Sequence, residues 1–277
     1  MKTVKFPNGT VVPALGQGTW GMGESEDSLN EEINSLRTGL DLGLTLIDTA
    51  EMYGNGGAER VVGKALVGRR DDAFVVSKVL PRHAWRAATI EACERSLKNL
   101  KTDVIDLYLL HWQSRTPLNE TVDAFEHLIE QGKIRAWGVS NFDTDLMQKL
   151  LEIAPSGHIA ANQILYNLSR RGPEFDLIPW CEKQSIPVMA YSPIEQGRIL
   201  KNRHLQQLAD SLGLAPTVLA LAWIIRRPLM IAIPKTASTG HLEENRKAAY
   251  LALDDDTLQA LDKIFLPPTR KIPLEVI

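Results

Sequence analysis

Cysteine is nearly absent from this sequence. Cys93 and Cys181 are the only two in 277 residues, and they form no CxxC pair. Both fall on the apolar side of an expected helix, so both read as reduced core thiols, not a disulfide framework. Charge of one sign is not in excess either. A formal charge of -3 leaves no electrostatic basis for binding nucleic acid or an anionic membrane. No segment approaches the ~20 uninterrupted apolar residues of a membrane span. The opening MKTVKFPNGT holds no long apolar stretch, so no signal peptide is expected and the expected location is cytoplasmic. His-x-His and His-Glu-x-x-His are missing, so no metal site is expected.

What the chain does have is alternation. Val4 and Phe6, the turn Pro7-Asn8-Gly9, and Val11-Val12 predict an N-terminal hairpin. A short strand over 14–18 follows. Leu29, Ile33, Leu36 and Leu40 recur at helical spacing, and Gly43 ends that stripe. Strands are expected near 44–47, 73–78, 104–110, 134–139, 160–165, 187–190 and 229–233, with helical stretches between them. Asp48, Lys78, His111, Ser140, Gln163, Tyr191 and Pro234 mark the strand ends, at steps of 30, 33, 29, 23, 28 and 43 residues. Most steps are one βα unit long. With the strand at 14–18 there are eight, and no linker interrupts them. This pattern predicts an α/β protein, a single-domain (β/α)8 TIM barrel over 1–277 with an N-terminal hairpin and extra C-terminal helices. An open doubly wound sheet is the rival.

Four polar residues stand at or beside three consecutive strand ends: Asp48, Tyr53, Lys78 and His111. Charges near a packed core need partners, and catalytic groups of parallel-strand proteins gather at C-terminal strand ends. A competing signal lies upstream. Gly16-Gln17-Gly18-Thr19-Trp20-Gly21 is a literal G-x-G-x-x-G, with Asp48 27 residues beyond Gly21. A dinucleotide fingerprint should open a helix directly after a strand, whereas the amphipathic stripe here starts only at Leu29. The glycines are better read as a tight exit from the strand. No tyrosine of this chain has lysine four residues later, which removes the Tyr-x-x-x-Lys dehydrogenase pattern.

Leu46-Ile47-Asp48-Thr49-Ala50-Glu51-Met52-Tyr53-Gly54, Val76-Ser77-Lys78-Val79 and Asp106-Leu107-Tyr108-Leu109-Leu110-His111-Trp112 resemble successive signatures of the aldo-keto reductase superfamily. Gly132 to Phe142, Asn162-Gln163, Ala190-Tyr191-Ser192-Pro193 and Ile233-Pro234-Lys235-Thr236 complete the set in order. Within the family the chain is most similar to bacterial reductases of methylglyoxal and small aldehydes. The resemblance implies reduction of a carbonyl compound by NADPH. Tyr53 would be the general acid, Lys78 would lower its pKa, Asp48 would balance Lys78, and His111 would hydrogen-bond the carbonyl oxygen. It further implies that Ser140, Asn141 and Gln163 meet the nicotinamide carboxamide and that Tyr191 stacks on the ring. Trp20, Ser192, Pro193 and Ile233 join the cofactor contacts. Lys235 and Thr236 would take the 2′-phosphate, and Glu244 and Asn245 the adenine.

One position departs from the pattern. His241 stands where many family members carry arginine, so NADPH is expected but NADH stays possible. Trp20, Trp85 and Trp112 are expected to wall an aromatic substrate pocket. The short C-terminal segment implies a limited cover and an accessible site. A monomer acting on a small carbonyl compound is the expected form. Two rivals remain: a non-catalytic NADP(H)-binding module like the potassium-channel β subunits, and a Schiff-base aldolase using Lys78.

Overall fold

An antiparallel hairpin opens the chain, β1 (Thr3–Lys5) against β2 (Val11–Pro13), as the Pro7-Asn8-Gly9 turn requires. The computed structural model describes residues 1–277. Helices then alternate with strands: β3 (Gln17–Gly18), α1 (Leu29–Asp41), β4 (Leu46–Asp48), α2 (Gly57–Ala65), β5 (Phe74–Val79), α3 (Arg86–Leu100) and β6 (Leu107–Leu110). The alternation continues through α4 (Leu118–Glu130), β7 (Trp137–Ser140), α5 (Thr144–Ile153), β8 (Ile159–Leu165), α6 (Leu177–Lys183) and β9 (Val188–Tyr191). Two helices, α7 (Arg203–Ser211) and α8 (Pro216–Ile224), precede β10 (Met230–Ala232), and α9 (Thr239–Lys247) and α10 (Asp255–Ile264) follow it. The hairpin and the helix pairs near the C-terminus therefore lie where the patterning predicted them.

Strands β3 to β10 lie side by side in chain order, all parallel, in one curled sheet of eight. Every residue of β5 and β8 is buried, which is why these strands read as near-continuous apolar runs and not as an alternation. The outer helices are one-sided. In α1, Leu36 and Leu40 face inward, and Gly43, in the left-handed region at φ +83°, stops the helix while its N–H donates to the Leu40 carbonyl. Helix α8 is apolar all round because its whole length from Val218 is buried.

The two sheet edges meet. Gly16 N–H donates to the Ala232 carbonyl and Ala232 N–H to the Ala14 carbonyl, both at 2.9 Å, and Gly18 N–H reaches the Pro234 carbonyl at 2.9 Å. This contact explains the glycine motif. A side-chain carbon at Gly16 would lie 2.6 Å from Leu46 Cδ2, and one at Gly18 would lie 2.8 Å from the Ile233 carbonyl oxygen. The glycines allow backbone to approach backbone, and no helix opens on them.

Both cysteines are buried and unpaired, and burial pushes each thiol up to about 12. They are packing residues. No single helix is long and apolar enough to cross a membrane.

Candidate active site

The C-terminal ends of β4, β5 and β6 bring three of the four predicted side chains together, and the loop after β4 adds the fourth. Asp48 ends β4, Lys78 is the penultimate residue of β5, and His111 directly follows β6. Tyr53 begins a short 3-10 turn, Tyr53–Gly56. Lys78 Nζ donates to Asp48 Oδ2 at 2.7 Å, to the Thr49 carbonyl at 2.8 Å and to Tyr53 Oη at 3.2 Å. The Lys78 and Asp48 side chains are 0% and 3% exposed. Desolvating such a pair costs several kcal/mol per ion, and only dense hydrogen bonding offsets that. Here the offset includes Gln163 Nε2, which donates to Asp48 Oδ1 at 2.7 Å.

This geometry sets the protonation states. Burial alone would lower the Lys78 pKa, but Asp48 and Tyr53 more than reverse that, and the ammonium persists. For Tyr53 the outcome differs from the expectation. Burial raises the phenol above its ordinary value and outweighs the pull of Lys78. The resting residue is therefore a fully protonated phenol, and the ammonium acts on any phenolate as it forms. Burial, with the Lys78 charge adding to it, pushes His111 down to about 3, so its imidazole is neutral. The Tyr53 and His111 rings meet edge-on with centroids 5.8 Å apart, and His111 Nδ1 has no hydrogen-bond partner within the chain.

A cavity of about 970 Å³ opens above this group. Asp48, Tyr53 and His111 line it, and Lys78 lies beneath its wall. Every predicted cofactor contact lines it too: Trp20, Ser140, Asn141, Gln163, Tyr191, Ser192, Pro193, Ile233, Lys235, Thr236, His241, Glu244 and Asn245. Tyr191 Oη donates to Asn141 Oδ1 at 2.9 Å, while Asn141 Nδ2 donates to the His111 carbonyl at 3.1 Å. Asn141 takes a left-handed conformation at φ +61° to do so. Near Lys235, Ser238 Oγ caps helix α9 by accepting from His241 N–H. A helix N-terminus beside a lysine and a threonine suits an anionic group. The polar amides, the Tyr191 ring and this cationic corner are a donor set that fits a nicotinamide dinucleotide phosphate.

Two expectations are corrected. Trp85 does not line the cavity; it is exposed, immediately before α3 and after the short 3-10 turn Pro81–His83. Trp20 and Trp112 do line the cavity, joined by Met52. The cover is also fuller than expected, since Val276 and Ile277 reach the cavity. Their segment is fastened at three points. Lys271 Nζ lies 3.1 Å from Asp145 Oδ1 and 3.3 Å from Asp176 Oδ2. Ile272 packs where a side chain at Gly172 would collide with it. Glu275 Oε1 accepts from Arg170 Nη1 at 2.5 Å.

Arg170 also donates to Glu195, which accepts from Asn167 and Arg198 as well. Burial would raise the Glu195 pKa, but these hydrogen bonds hold it below the ordinary carboxylate value. The loop around Glu195 contributes Ile194, Gln196, Gly197 and Leu200 to the cavity, and Ser192, Glu195 and Gln196 all have positive φ. Sequence reasoning missed this wall. Gln196-Gly197 was the one local signal, a polar residue followed by glycine.

A family model described as the aldo/keto reductase family matches residues 14–265. The chain is 47% identical to the methylglyoxal reductase YeaE of Escherichia coli over 100% of its own length and 99% of that protein. It is 31% identical to a glyoxal reductase of Bacillus subtilis, covering 95% of this chain and 92% of the relative. An aldo-keto reductase of Klebsiella pneumoniae, crystallised with NADPH, superposes with a TM-score of 0.97 at 49% identity, covering 100% and 99% of the two chains.

Proposed function

Because the chain belongs to the aldo/keto reductase family, we propose that it reduces small aldehydes and 2-oxoaldehydes such as methylglyoxal to alcohols, using NADPH, with Tyr53 as the general acid. The observation that carries this reading is the Tyr53 hydroxyl, 3.2 Å from the buried Lys78 ammonium and facing the same cavity as His111. The hydrogen bonds that join the first and last parallel strands support reading the sheet as a closed (β/α)8 barrel, in a single domain over 1–277.

A bound reduced nicotinamide supplies a hydride to the carbonyl carbon. As that transfer proceeds, charge builds on the carbonyl oxygen, and Tyr53 Oη gives its proton there. Lys78 then stabilises the phenolate left behind, and Asp48 holds Lys78 in position. His111 is neutral, so it can donate one N–H to the oxygen without competing for the proton. Ser140, Asn141 and Gln163 would orient the carboxamide. Gln163 has its Nε2 committed to Asp48 and offers its carbonyl oxygen. Tyr191 would support the ring face, and Lys235, Thr236 and His241 the phosphate. Trp20, Trp112 and Met52 give the entrance an apolar rim around a polar floor. The YeaE and glyoxal reductase relatives support the substrate class.

The test is Tyr53→Phe, followed by NADPH oxidation with methylglyoxal and by cofactor titration. Turnover should fall by roughly 10³-fold or more while NADPH affinity is kept. A variant that turns over normally would remove Tyr53 from the role. Nothing in the site favours a non-catalytic module, since all four reacting-end residues are intact and within contact of one another or of the cavity.

A further inference from the structure

The mechanism above uses Asp48, Tyr53, Lys78 and His111 but gives no task to a nearly buried acid in the same loop as Tyr53. Glu51 lies in the loop between Asp48 and Tyr53, and its side chain is only 10% exposed. Its Oε1 accepts from the Leu80 backbone N–H at 2.7 Å and lies 2.8 Å from His83 Nδ1; its Oε2 lies 3.6 Å from Arg95 Nη2. Its backbone N–H donates to the Lys78 carbonyl at 3.3 Å. Glu51 stands two residues before Tyr53, and Leu80 two residues after Lys78. The Glu51–Leu80 bond therefore spans the two loops close to the two atoms whose separation matters most.

The other side of Tyr53 needs such a tie. Gly54, Asn55 and Gly56 follow it with φ of 56°, 50° and 79°, three left-handed residues in succession. Asn55 pays a strain there that glycine would not. A strained run persists only when its surroundings over-determine it. The Tyr53 hydroxyl itself is held by the single 3.2 Å contact to Lys78. His83 is in turn fixed by Thr89 Oγ1, which donates to its carbonyl at 2.7 Å.

We infer that Glu51 is a positioning residue, holding the Tyr53 loop against the exit of the Lys78 strand so that phenol and ammonium stay in register. This rests on the reading of Tyr53 as the acid. Proton transfer is steeply sensitive to placement, so losing the tie should cost turnover and not cofactor binding.

Four variants test it, with kcat for methylglyoxal reduction and NADPH Kd from tryptophan fluorescence as readouts. Glu51→Ala should lower kcat on the order of tenfold or more with Kd within about twofold. Glu51→Gln keeps an oxygen for the Leu80 N–H and should recover most of that loss. Glu51→Asp keeps the charge but is a methylene too short, so it should behave like alanine; it also serves if the alanine variant folds poorly. In the Tyr53→Phe background, Glu51→Ala should add nothing, because a residue acting through Tyr53 has no effect once the phenol is gone. Equal losses from Glu51→Ala in both backgrounds, or an unchanged kcat in both the Ala and the Asp variants, would overturn the inference and leave Tyr53 in place as the acid. Normal turnover by Tyr53→Phe alone would overturn the reading of the acid itself.

Discussion

The floor of the cavity and its rim are built by different rules. On the floor, Asp48, Lys78 and Gln163 come from β4, β5 and β8, are buried, and hold one another at 2.7 Å. Their positions follow from parallel strands whose ends fall on one face. The rim is made of Trp20, Met52, Trp112, the loop around Glu195 and the segment ending in Val276-Ile277. It is partly exposed and rich in left-handed residues, and it is fastened by half-exposed ion pairs. On the proposed reading, the floor would give up stability for chemistry, whereas the rim would select size and shape.

Four measurements would break or sharpen that contrast. The largest effect is expected from Lys78→Met. It leaves Asp48 buried without a counter-ion, and the unfolding free energy should fall by about 3–5 kcal/mol, together with loss of activity. Urea unfolding checks this, and an unchanged midpoint would mean that the floor is not under electrostatic load.

Next is acid sensitivity. His111 is held down to about 3 in the folded chain, against an ordinary 6.5 when unfolded. Between those values the unfolded state binds the extra proton. Stability attributable to His111 is therefore present above pH 6.5 and is lost as pH falls, by up to ~1.4 kcal/mol per pH unit. His111→Gln should flatten that part of the stability profile; an identical profile would show that the imidazole is not desolvated as the packing implies.

Third, Lys235→Ala should weaken NADPH by roughly 10- to 100-fold while changing NADH little, the loss of one charge-assisted contact. Isothermal titration with both cofactors decides it, and equal losses would reject the phosphate assignment.

The smallest effect is expected at the rim. Glu275→Ala releases the ion pair to Arg170, which is 33% exposed, so stability should move by less than about 1 kcal/mol. The change should appear in KM across aldehydes of increasing size, with kcat for the smallest nearly constant. A large drop in kcat instead would mean that the rim reaches into the chemistry.

The same division governs what could be read from the sequence. The eight-fold βα rhythm and the floor were legible because strand ends recur at nearly constant steps and short-range words surround each polar residue. The rim was not. Trp85 looks equivalent to Trp20 and Trp112 in sequence, since each is a tryptophan in a loop after a strand, yet a 3-10 turn at Pro81–His83 separates it from β5 and it does not line the cavity. Val276 and Ile277 carry no motif at all; they arrive because Lys271, Ile272 and Glu275 find partners far away in sequence, at Asp145 and Asp176, Gly172 and Arg170. The Tyr53 pKa was misjudged for a related reason. Sequence names the neighbouring ammonium but says nothing of how much water the fold removes.

The bare backbone at Gly18 has a mechanical consequence. Its amide is bonded to Pro234, next to Lys235, and it lies two residues before Trp20. The wall that would greet the incoming aldehyde and the corner that would grip the phosphate are thus riveted to a single point. A methyl group added there would pry both apart together, so fuel and cargo would lose their fit in the same stroke.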